Sequence, residues 1–208
     1  MGMLRSAFGP SKDEIWTQIA TDIGGEFIKG GFWGTDVLTY KHGEWQILLD
    51  TYTTSTSTGQ VSTTYTYTRM RAPFINKDGL YFEISREGFF SSIGKFFGRR
   101  DIEIGDSFFD GQFEIKGNNP EKIKLLLADA RIRKLCAKQP NIHFKIKDDE
   151  GWFGADFPEG VDELHFECVG VIKKTELLKS LFALFALTLE RLVQIDSAYE
   201  DDPQVTLK

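Results

Sequence analysis

The spacing of apolar residues divides the chain into elements. Ile15, Ile19 and Ile23 recur every four residues and so share one face of a helix. Ser11 precedes them and Glu14 follows Ser11 by three, the pair that a capping box requires, so a helix is predicted to start at residue 11 and end in the glycines after Ile23. Beyond those glycines the period changes to two. TDVLTYKHGEWQILLDTYT reads as two strands turning at Lys41, His42 and Gly43; the strand pattern runs on through a hairpin to Arg71, and LYFEIS adds a fourth strand. The stretch from Gly88 to Asp101 is glycine-punctuated and aromatic, and it interrupts the pattern.

In the second half QFEIK is a strand. Asn119 then caps a helix with Pro120 at its first position, where a missing N–H costs nothing, and Asp129 caps another that ends before Pro140. NIHFKIK alternates with Ile142, Phe144 and Ile146 inward, which leaves His143 on the outward face; DELHFECVGVI is the last strand. The Leu/Phe-rich run from Leu177 to Val193 reads as a buried helix. Lys179, Glu190 and Arg191 break it, and it falls short of the roughly 20 apolar residues that span a bilayer.

These elements predict an α+β fold: an antiparallel β-sandwich or barrel of about seven strands, with an N-terminal helix, a helical insertion between the fifth and sixth strands, and a C-terminal capping helix. One domain is expected over residues 11–195, with a sub-division point near 88–104, followed by an acidic, frayed tail over 196–208. The strand count and closing helix resemble a pleckstrin-homology-like (PH-like) domain. That resemblance implies binding rather than turnover.

Asp50 to Phe74 contains nine threonines and no charged residue between Asp50 and Arg69. With a turn at Thr58 and Gly59, Tyr52 is expected opposite Tyr65, Asp50 opposite Tyr67 and Leu48 opposite Arg69. Only the base of this hairpin carries core residues, so its distal half is predicted to project as an arm of about 25 Å. β-branched threonine supports extended backbone while its hydroxyl tolerates water on both faces. The arm is either a soluble surface loop or a pairing edge for a second copy or a protein partner, with Tyr52, Tyr65 and Tyr67 as candidate contact residues.

Composition narrows the chemistry. A net charge of −6 and a pI near 5.2 argue against nucleic acid as a general partner. Two cysteines, Cys136 and Cys168, fit a reducing cytoplasm, and the N-terminal residues lack the apolar run of an export signal. The one basic-aromatic segment sets Lys95, Arg99 and Arg100 among Phe89, Phe90, Phe96 and Phe97: a surface for anionic lipid headgroups, or a linker whose rings close one end of the core. GFFSSIGKF misses the phosphate-loop pattern, with five residues between Gly88 and Gly94 and Phe96 after Lys95.

No catalytic residue and no cofactor is assigned, since nucleophile-elbow, zinc and dinucleotide motifs are all missing from the sequence. His165 and Cys168 point to opposite faces of their strand and cannot form a nucleophile pair. Asp101, Glu103, Asp106 and Asp110 could hold a divalent cation for a hydrolase, although Gly105 breaks the EF-hand pattern. In the alternative reading Asp106 caps a single turn, Phe109 and Phe113 anchor it in the core, and Asp110 bonds backbone amides.

DIEIGDSFFDGQFEIKGNNPEKIKLLL, together with YTRMRAPF, resembles the signature of an uncharacterised bacterial protein family (a domain of unknown function) with a G-D-x-x-F-D-x-x-F segment, here Gly105, Asp106, Phe109, Asp110 and Phe113. The resemblance spans Trp45 to Val193. It implies a bacterial cytoplasmic protein and brings no catalytic residues.

Overall fold

Local signals start most of the helices in the second layer of the molecule, whereas the long C-terminal one has no side-chain cap. In a computed structural model that describes residues 9–31, 35–59, 61–86, 101–148 and 157–207, helix α1 (Lys12–Ile23) opens on the expected capping box, with Ser11 and Glu14 bonding each other's backbone. Asn119 accepts from the Lys122 amide to start α3 (Pro120–Leu127), and Asp129 accepts from the Arg131 amide to start α4 (Ala130–Lys138). The long helix α5 (Thr175–Gln194) turns Leu178, Leu181, Leu184, Phe185, Leu189 and Leu192 inward, all of them buried.

The first layer is a single antiparallel sheet. Strands β1 (Glu26–Ile28), β2 (Val37–His42), β3 (Trp45–Thr58), β4 (Val61–Asn76), β5 (Phe82–Arg86), β6 (Phe113–Gly117), β7 (His143–Lys147) and β8 (Val161–Val169) lie in the order β1-β2-β3-β4-β8-β7-β5-β6, and β9 (Ala198–Tyr199) pairs with the end of β4. All seven expected strands are present, joined by the short β1 and β9. The expected barrel is not formed, since the sheet is open with β1 and β6 at its ends, and the second sheet that the expected sandwich needs is not present among the described residues. Helices supply the second layer that a second sheet would have supplied. Tyr40 meets Phe182 edge-on at 5.9 Å, and Phe144 lies 5.5 Å from Phe185, so α5 covers the sheet from β2 to β7. One core cluster runs from Ile15 to Ala198 and draws on both halves of the chain.

Two local expectations change. Lys41 and His42 belong to β2, and His42 pairs with Trp45, so the turn is Gly43 and Glu44. The β3–β4 hairpin is shifted by two residues: Thr58 pairs with Val61, Tyr52 with Tyr67, Asp50 with Arg69 and Leu48 with Arg71. Gly59, at φ +63°, is the first loop residue rather than the second. A two-residue shift keeps every side chain on its expected face, so hydrophobic periodicity is blind to it. In the C-terminal segment, Ala198 and Tyr199 pair with the end of β4. Ser197 and Leu207 are buried, and Pro203 to Thr206 line a cleft with Lys41, Gln46 and Pro73.

Pairing between β3 and β4 stops at Arg71, two residues before Pro73, which has no N–H for a neighbouring strand. At the opposite end the two strands outrun the sheet. β2 pairs with β3 only as far as Leu49, and β8 pairs with β4 only as far as Tyr67. From Thr53 to Gly59 every residue is exposed, and six strand residues at about 3.3 Å each carry this two-stranded ribbon on the order of 20 Å from the body.

Phe185→Ala should cost about 3–5 kcal/mol, because it leaves a cavity beside Phe144 in the α5–sheet contact. Urea unfolding checks this as a lower midpoint at unchanged slope.

Candidate functional site

Alternation gives the sheet two unlike faces. Met70, Ala72 and Phe74 on β4, Leu164 and Phe166 on β8, Phe144 and Ile146 on β7, and Phe82 and Ile84 on β5 belong to the core under the helices. Their neighbours in sequence point the other way and are polar. Register sets them in two rows: Ser85, His143, Glu167, Arg69 and Asp50 in one, and Glu83, Lys145, His165 and Arg71 in the next. His143 does face away from the helices as expected, but it is 3% exposed rather than solvated. Asp50, Arg71, Glu83, Glu163 and His165 are buried beside it.

Hydrogen bonds tie the first row together and link it to Glu83 in the second. Tyr52 Oη donates to Glu167 Oε2 at 2.6 Å, His143 Nδ1 donates to Glu167 Oε1 at 3.0 Å and His143 Nε2 donates to Glu83 Oε1 at 2.5 Å, while Tyr81 Oη donates to Glu83 Oε2 at 2.9 Å. A histidine that donates from both nitrogens is an imidazolium. His165 lies 2.6 Å from Glu163 Oε1 and 3.5 Å from Glu167 Oε2. At the ribbon's base Arg69 forks onto Asp50 at 2.9 and 2.7 Å, and Arg71 reaches the same carboxylate at 2.7 Å. Tyr52 and Tyr67 stack at 5.0 Å with 10° between their planes, with the Arg69 guanidinium 5.1 Å over Tyr52. The network therefore anchors the ribbon.

Burial alone would push the Glu167 carboxyl up, but bonds from His143, His165 and Tyr52 outweigh it and hold the group well below the usual range. Glu83 follows the same pattern, with burial opposed by His143 and Tyr81 and a net downward shift. For His143 burial works against the charge, and the bonds to Glu167 and Glu83 still raise its pKa. Burial lowers Lys145 against the attraction of Glu167 and Glu83, and raises the Tyr52 hydroxyl, which Glu167 raises further. The thiols are poor nucleophiles: burial pushes Cys136 up to about 12, and burial with the nearby Glu167 pushes Cys168 up to about 11. On the polar face Ser85 Oγ and Glu163 Oε2 are buried with no hydrogen-bond partner among the described residues, but they stand two strands apart and mark no single pocket.

The ribbon's own geometry follows from its register. In an antiparallel pair, residues alternate between turning their N–H and C=O toward the partner strand and turning them away. The Gly170 amide donates to the Thr66 carbonyl at 2.7 Å, so Thr66 faces β8 and its partner Thr53 faces the opposite, open side. Ser55 and Ser57 then face outward too. The 2.9 Å contact between Ser55 Oγ and Thr64 Oγ1 agrees, since side chains approach most closely in pairs that do not share backbone bonds. Among the described residues no strand lies beside this edge.

The residues singled out from sequence fall in three groups. Tyr52 and Tyr67 join at the ribbon's base, whereas Tyr65 stands apart at 46% exposure. Asp106 caps the short helix α2 (Ser107–Asp110) by accepting from the Phe108 and Phe109 amides and also pairs with Arg133; Asp110 accepts from the Ile104 and Gly105 amides. Asp101 and Glu103 are exposed nearby, and Phe109 and Phe113 are buried. Among the described residues no three histidine, cysteine or acidic side chains are placed to share a metal ion. Lys95, Arg99 and Arg100 lie outside the described residues. The buried His–Glu–Arg network had no sequence signal beyond alternating polar residues in strands. No described helix is long and apolar enough to cross a membrane. Comparison with protein-family models, curated proteins and solved structures finds no match.

The shifts in this network set a stability profile with two limbs. Glu83 and Glu167 contribute above their ordinary value of 4.5, and that contribution is lost as pH falls through their lowered folded values; His143 contributes fully below 6.5 and is lost as pH rises through its raised folded value. Urea unfolding across the pH range should give a maximum between those limits. His143→Gln should flatten the alkaline limb, and an unchanged limb in that variant contradicts the assignment.

Proposed function

We propose that this chain is a non-catalytic interaction module of a bacterial cytoplasmic protein, and that it captures an extended, uncharged segment along the free β3 edge of its ribbon. The observation that carries this reading is the set of outward backbone groups on Thr53, Ser55 and Ser57, with no strand beside them among the described residues. Such an edge binds by adding a strand, with main-chain bonds supplying affinity. Natural edges are usually guarded by charge or proline, and this one has neither from Thr51 to Thr68. The Asp50–Arg69–Arg71 cluster and the Tyr52–Tyr67 stack fix the base, so the arm is presented in one direction.

Two further features support binding over turnover. The hydrogen bonds of His143 and His165 run to carboxylates within the network, and both thiols are held protonated. The PH-like resemblance in strand count and closing helix points the same way, as an analogy of fold. Free, buried Cys136 and Cys168 fit a reducing compartment.

A capped peptide of sequence TYTTSTST, titrated into the labelled protein, should shift the amides of Thr53, Ser55 and Ser57 and saturate on the order of 1 mM, about −4 kcal/mol. Shifts spread over the helices, or no shift at these three amides, would contradict the reading.

A further inference from the structure

Any antiparallel strand edge can pair with its own copy about a two-fold axis, and on this one no charge or proline between Thr51 and Thr68 opposes that pairing. This step rests on the strand-addition reading above. On the fully exposed part of the ribbon the outward residues are Thr53, Ser55 and Ser57, evenly spaced about Ser55; Thr51, at the half-buried base, turns the same way. Turned antiparallel to its own copy about a two-fold axis at Ser55, the edge sets Thr53 opposite the second copy's Ser57, Ser55 opposite Ser55, and Ser57 opposite Thr53. Every outward N–H and C=O of these three residues on both copies then has a partner, while Thr51 comes opposite the turn at the second copy's Gly59. We infer that a second copy of this chain is the extended partner, joined through β3 in a two-fold, antiparallel dimer centred on Ser55.

Neighbouring elements select this register. Sliding the copies one pair toward their bases would drive each turn against Leu38 and Thr39 of β2, which occupy the same flank of β3 opposite Leu49 and Leu48. Sliding them one pair toward the tips strands Thr53 opposite the turn at Gly59. The β4 edge is the poorer surface, because the Thr66 carbonyl is already taken by Gly170 and only Ser62 and Thr64 remain outward.

Charge favours the same contact. Each copy carries a formal charge of −6, so two bodies repel at close range. A ribbon without charged residues from Thr51 to Thr68 lets them meet at a distance greater than the roughly 8 Å over which salt screens charge in physiological buffer. The contact is a strand edge rather than a face, and it buries less than the roughly 800 Å² per partner of a standard stable interface. The dimer is therefore reversible and concentration-dependent.

Sedimentation velocity on the full chain, from micromolar to near-millimolar concentration, should show a monomer–dimer equilibrium that added salt does not weaken. Ser55→Pro removes an N–H with no strand beside it among the described residues and otherwise gives up only an exposed hydroxyl contact with Thr64, so this variant should keep nearly the parent's thermal midpoint and stay monomeric at every concentration. Thr64→Pro, on the other edge, should dimerise as the parent does. Ser55→Cys should form a disulfide with its own copy under mild oxidation, while Cys136 and Cys168 stay buried and silent. A parent that stays monomeric throughout, or dimerisation lost in Thr64→Pro and kept in Ser55→Pro, overturns the inference. If the TYTTSTST peptide shifts the edge amides while the parent chain stays monomeric, the self-pairing falls and the strand-addition reading stands; if neither occurs, both fall.

Discussion

The register between β3 and β4 is the constraint on which the rest of the molecule depends. Pairing Asp50 with Arg69 brings one carboxylate within reach of Arg69 and Arg71, and pairing Tyr52 with Tyr67 stacks their rings at the point where the strands leave the sheet. Displaced by two residues, the same strands would keep every apolar side chain in the core and lose both contacts. A buried ion pair adds little net stability against an apolar alternative, but breaking one is costly, so its main effect here is to exclude other registers. Once the register is fixed, so is the side of the ribbon to which each backbone group points.

The polar sheet face and the ribbon belong to one device. Tyr52 belongs to both: its ring stacks on Tyr67 at the ribbon's base and its hydroxyl donates to Glu167 in the network. Glu167 passes the connection to His143, and His143 passes it to Glu83, so the arm's base is linked across β3, β8, β7 and β5. Charged groups buried this deeply persist only where each finds a counterpart, and alternating signs across neighbouring strands supply one.

Much of the fold was legible because its signals are local. Capping residues Ser11, Asn119 and Asp129 start the helices they were expected to start, and Asp106 and Asp110 bond the amides around α2. What sequence could not supply was the identity of neighbours in space. Alternation put His143 on the correct face but could not show it buried, because that depends on β5 and β8 flanking β7. The pairing of Arg69 with Glu167 joins residues nearly a hundred positions apart. The closed sandwich failed for a related reason: strand count says nothing of whether a second sheet or a layer of helices covers the first. Ser197 and Leu207 carry no periodic signal, so their burial could not be read from the sequence.

Amide hydrogen exchange along the ribbon of the dilute protein tests the register and its open edge together. The amides of Thr54 and Thr56, bonded across to β4, should be protected, while those of Thr53, Ser55 and Ser57 exchange at nearly the rate of an unstructured chain. Protection at the odd-numbered positions with fast exchange at Thr54 and Thr56, or equal exchange at all five, would contradict it.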